Sequence, residues 1–88
     1  MPVYMVEREL NGIAMNDLAG AQKLAISLSE SYAAKGTPMR YIRSTFAPDD
    51  GRCMCMFEAN SAEDVERLND EAKIPYNRVV EALDLTPR

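Results

Sequence analysis

The run Met39-Arg40-Tyr41-Ile42-Arg43-Ser44-Thr45-Phe46, the break Ala47-Pro48-Asp49-Asp50-Gly51 and the run Arg52-Cys53-Met54-Cys55-Met56-Phe57-Glu58-Ala59 together decide the fold. The outer pieces have the residue types that favour strands. The piece between them is turn chemistry, with a proline, two aspartates whose side chains bond nearby backbone, and a glycine. This spacing predicts a β-hairpin over Met39 to Phe46 and Arg52 to Ala59.

On either side of the hairpin the periodicity becomes helical. Upstream, Leu18, Ala21, Leu24, Ala25, Leu28 and Tyr32 recur at three- and four-residue steps, with Asn16 expected as N-cap and Gly36 as C-terminal stop before Pro38. Downstream, Ser61 with Asp64 three residues later reads as a capping-box variant. It precedes a stripe of Val65, Leu68 and Ala72 that ends by Pro75. Outermost lie two further strand-like runs, Val3 to Leu10, broken at Asn11-Gly12, and Arg78 to Leu85. The order is β-α-β-β-α-β. Right-handed crossovers put both helices on one face of a four-stranded antiparallel sheet, with the first and third strands central. The expectation is an α+β, ferredoxin-like fold, with residues 1–88 as a single domain.

Composition narrows the function classes. The chain has 88 residues, 47% hydrophobic and 27% charged, which is globular composition. A net charge of -4, with ten of the fourteen acidic groups in residues 45–88, argues against nucleic-acid binding by phosphate neutralisation. No apolar run reaches the length of a bilayer span, and the first nine residues lack a secretory pattern, so a cytoplasmic protein without membrane attachment is expected. There is no histidine and no tryptophan. The commonest general base and the commonest nitrogen ligand are therefore missing, and no hydrolase, phosphate-loop or Cys-x-x-Cys signature replaces them.

The strands are apolar on both faces. Tyr4 and Val6 alternate with Val3 and Met5, and Cys53, Cys55 and Phe57 alternate with Met54 and Met56. Two short helices cover one face only, so the other calls for a second copy laid sheet to sheet, a homodimeric α/β barrel. A regular register groups Glu7, Tyr41, Arg43, Cys55 and Glu81 around the covered interior as a small-ligand site. Arg43 would hold an anionic or polar molecule there, or pair with Glu7 or Glu81 to fix dimer register. Cys53 and Cys55 point to one face. They are read either as small core residues or as two soft ligands for a metal completed by other groups, Glu7 and Glu81 across the dimer among them.

The stretch Met1 to Arg8, the pair Tyr41-Ile42-Arg43-Ser44 and Cys55-Met56-Phe57-Glu58-Ala59, and Ile74-Pro75 with Val79-Val80-Glu81 resemble a small bacterial ferredoxin-like family of unknown function. That family includes a described nickel-binding protein and looks like part of the dimeric α/β-barrel superfamily. The resemblance marks Glu7, Ser44, Cys55, Glu58 and Glu81, and implies nickel or another divalent metal as an alternative to a cofactor-free site. It also sets Arg43 where many relatives have a histidine, a fixed cation that argues against a divalent ion. Isomerases and cofactor-free monooxygenases in the wider superfamily leave an enzymatic reading open, with Glu7 or Glu81 as proton shuttle.

Overall fold

A computed structural model describes residues 1–87 of the chain. The elements run β1 (Val3–Glu9), α1 (Met15–Ala34), β2 (Met39–Ala47), β3 (Arg52–Ala59), α2 (Ala62–Ala72) and β4 (Arg78–Ala82). The strands form one sheet in the order β2-β3-β1-β4, with every pairing antiparallel. Fold class and topology are as the sequence predicts.

The core lies between the sheet and the two helices. Tyr4 and Val6 of β1 and Cys53, Cys55, Phe57 and Ala59 of β3 meet Ala25 and Tyr32 of α1 and Val65 and Leu68 of α2. Ser61 caps α2 by accepting the Asp64 amide hydrogen at 3.2 Å, and Glu63 and Asp64 sit in the first turn, where the helix dipole favours negative charge. α1 differs from expectation at its start. Its N-cap is Ala14, which offers no side-chain bond, so Asn16 lies inside the first turn. Leu24 is exposed, and the buried stripe runs through Ala25, Ser29 and Tyr32.

Two departures in the sheet change which residues share a face. β2 and β3 pair in register from Met39 to Tyr41 and again from Arg43 to Ala47, leaving Ile42 as an extra, unpaired residue. Such a bulge reverses the alternation beyond it. Tyr41 and Ser44, three apart, therefore both face the helices, while Arg43 faces the other way. Second, β4 ends at Ala82, short of Leu85. Beyond it the chain turns over the helix-free face, where Asp84 ion-pairs with Arg43 reaching from the opposite edge of the sheet.

The hairpin turn is locked from outside. Gly51 has φ +77°, and its carbonyl accepts the Leu10 amide at 2.7 Å. A Cβ there would lie 2.5 Å from the Asn11 backbone, so this contact needs glycine.

Candidate functional site

α1 is rich in alanine where it crosses the sheet, and small side chains there leave room that larger ones would fill. Below Leu18, Ala21 and Ala25 lies a cavity of about 150 Å³. Leu10, Phe46 and Ile74 complete its apolar walls, and its polar groups are Arg8, Gln22, Tyr41, Ser44, Cys53 and Cys55.

Those polar groups form a directed chain. Gln22 Nε2 donates to the Tyr41 hydroxyl at 3.1 Å, Tyr41 is hydrogen-bonded to Ser44 Oγ, and Ser44 donates to Cys55 Sγ at 2.9 Å. Cys53 Sγ lies 3.9 Å from Cys55 Sγ. With Ser44 committed to Cys55, every donor along the chain points toward that one sulfur, and such bonds polarise one another. The bulge at Ile42 makes this possible, because it brings Ser44 opposite Cys55 on the face that already holds Tyr41.

Arg8 closes the other side. It follows Tyr4 and Val6 on the inward face of β1 and is only 3% exposed. Its guanidinium donates to Asn69 Oδ1 at 2.9 Å and to the Pro75 carbonyl at 3.3 Å, both neutral acceptors. Among the described residues no carboxylate pairs with it. The hydrogen bond with Cys53 holds the Cys55 thiol below the ordinary thiol range against the opposing effect of burial, and Arg8 and Ser44 reinforce the shift. The same sulfur–sulfur bond, with burial, pushes Cys53 up. The two shifts run in opposite directions, so the pair favours negative charge on Cys55 over Cys53, on the sulfur that Arg8 also favours.

Of the residues singled out in the sequence, Tyr41, Cys53 and Cys55 come together here. The other three do not join them. Glu81 lies opposite Tyr4 at the exposed edge and does not line the cavity. Glu7 and Arg43 project from the helix-free face, Glu7 paired with Arg78 at 2.6 Å and Arg43 with Asp84. The single grouping expected from a regular register is therefore split by the sheet. Arg8 went unrecognised, although the alternation Tyr4, Val6, Arg8 places it on the inward face. Ser44 was marked by resemblance alone, since only the bulge turns it inward.

The helices, sheet order and thiol-lined cavity define a split β-α-β domain with an internal polar pocket. The chain belongs to the family described as nickel responsive protein SCO4226-like, whose model matches residues 4–82. Its fold is similar to the crystal structure of SCO4226 from Streptomyces coelicolor A3(2), with a TM-score of 0.79 over 96% of this chain and 99% of that one at 19% sequence identity. No curated protein matches.

Proposed function

We propose that the cavity beneath α1 is a binding site for a small polar molecule or ion, and that the chain is a ligand-binding or accessory domain acting as a homodimer in the cytoplasm. One observation carries the reading. An apolar pocket is lined by a few polar groups, among them a buried, carboxylate-free Arg8 and the Ser44–Cys55 pair. The two unbridged thiols suit a reducing compartment, and among the described residues no helix is long and apolar enough to cross a membrane.

A thermal-shift panel of small metabolites and metal ions tests this. At least one compound should stabilise the wild type and lose its effect in both Arg8→Gln and Ala21→Leu, the second of which fills the cavity without touching a polar group. A panel in which nothing separates the three proteins would overturn the reading.

Nickel is the metal named in the family description, and this chain's residues do not fit it. The chain has no histidine. No carboxylate lines the cavity, and among the described residues no three histidine, cysteine, aspartate or glutamate side chains converge. A divalent ion beside two thiols would also face the Arg8 charge. Glu7 cannot complete the set, because the sheet separates it from the cysteines. Glu81 stands outside the pocket, so neither carboxylate is placed to shuttle protons for a substrate bound there.

Homodimerisation draws support from the helix-free face. Val3, Met5, Met54, Met56, Val80 and Ala82 form its half-buried apolar centre. Charged side chains there are paired as Glu7–Arg78, Arg40–Glu58 and Arg43–Asp84. Leu83 and Leu85, 79% and 84% exposed, lie at its end. An apolar surface with internally neutralised charges suits a second copy of itself.

A further inference from the structure

We infer that Cys53 and Cys55 of a single chain form a two-thiolate site for one monovalent thiophilic ion, copper(I), with Arg8 as its buried counter-charge. The inference rests on the reading of the cavity as a binding site and names its occupant.

Three observations converge. The first is spacing. Two metal–sulfur bonds of about 2.3 Å, the length found for zinc thiolates, span sulfurs up to about 4.6 Å apart. The two sulfurs here stand at 3.9 Å, within that reach without movement of the strand. Soft thiolate donors without nitrogen or carboxylate select copper(I) over nickel.

The second is charge. The sulfur–sulfur hydrogen bond places one shared proton between Cys53 and Cys55, and Arg8, buried and without a carboxylate partner among the described residues, lines the same cavity. A monovalent ion replaces that proton. Cu⁺ enters, two copper–sulfur bonds form, the Cys53 S–H bond breaks and one H⁺ leaves to solvent. No electron is transferred. The complex of two thiolates and Cu⁺ carries one negative charge, and Arg8 neutralises it. A divalent ion would leave a net positive charge in a low-dielectric site, at considerable cost.

The third is the enclosure. Leu18, Ala21, Phe46 and Ile74 form apolar walls around the pair, and the volume suits an ion rather than a large molecule. Ser44 donates to Cys55 at 2.9 Å and so orients a ligand atom as a hydrogen-bond partner of the ligand.

The test is competition for copper(I) against bicinchoninate, run anaerobically on the reduced full chain, with nickel(II) retention measured in parallel. Expected are one copper(I) per chain, no retained nickel, and loss of retention in Cys53→Ser and in Cys55→Ser, each checked for fold by circular dichroism. Arg8→Met should weaken copper(I) binding by roughly 10–100-fold and Arg8→Lys should restore much of it. The wild-type stoichiometry decides even if the Arg8 variants fail to fold. No copper(I) retained by the wild type, one ion per two chains, or retention unchanged in Cys55→Ser would overturn the inference. If copper(I) fails while some metabolite gives an Arg8-dependent thermal shift, only the identity of the occupant falls. If neither binds, the binding-site reading falls with it.

Discussion

Cys55 sits where three influences favour its thiolate: the Cys53 S–H, the Arg8 charge and the Ser44 hydroxyl. The sign of the pH dependence follows. Cys55 has a folded-state pKa below its unfolded value. Its contribution to stability is therefore present above the unfolded value and lost as pH falls through the folded one. Cys53 behaves oppositely, its contribution fading as pH rises from the ordinary thiol range toward its raised folded value. Thiolate absorbance in the ultraviolet should show one step below the ordinary thiol range in the native protein and none there in urea. Cys53→Ala should move that step up by more than Ser44→Ala does. Coincident native and unfolded titrations would refute the arrangement. Asn69 is the second residue-scale test. It is fully buried, accepts from Arg8, and donates to the Val65 carbonyl of its own helix at 2.8 Å. Asn69→Leu keeps the branched four-atom skeleton and removes an acceptor from a buried cation, so it should cost roughly 2–3 kcal/mol in urea unfolding. A change below the error of the measurement would mean that Arg8 finds water instead.

At the scale of elements, the two glycines Gly51 and Gly20 should respond in opposite directions. Gly51→Ala forces a Cβ onto the Asn11 backbone at a positive φ, and should destabilise by more than about 1 kcal/mol. Gly20 lies exposed in the middle of α1 with open space around it, and Gly20→Ala should stabilise by roughly 0.5–1 kcal/mol. Chemical denaturation of both variants checks the pair, and equal signs would contradict the packing described. Element order was legible because each segment carries its own period or turn signal: the Ala47–Gly51 break, the Ser61 cap, the α1 stripe. The faces were not. Ile42 is a β-branched residue in a β-rich run, and nothing in it announces a bulge, yet that one unpaired residue exchanges Arg43 for Ser44 opposite Cys55. Both faces of β1 and β3 are apolar, so composition did not distinguish the helix-covered side either. The inward side turned out to be the one bearing Arg8, a residue that composition alone assigns to solvent.

For the whole molecule, the division of labour between the two faces of the sheet leads to the last prediction. The helix-covered face holds the cavity, and the other face holds an apolar centre around the cross-strand pair Met5–Met56. In a lone chain, Met56→Lys costs little, because the lysine stem lies along neighbouring side chains and its ammonium reaches water. Between two sheets the same ammonium would be buried without a partner, once per copy, at a cost of several kcal/mol. Sedimentation should therefore find two copies of the wild type and one of Met56→Lys, with the wild type alone showing an unfolding midpoint that rises with protein concentration. Because Met56 lies across the sheet from Cys53 and Cys55, ligand binding in the cavity should survive the substitution. A wild type that sediments as one copy at micromolar concentration would leave the apolar face exposed to water and remove the dimer from the proposal, while the cavity beneath α1, formed within one chain, would stand.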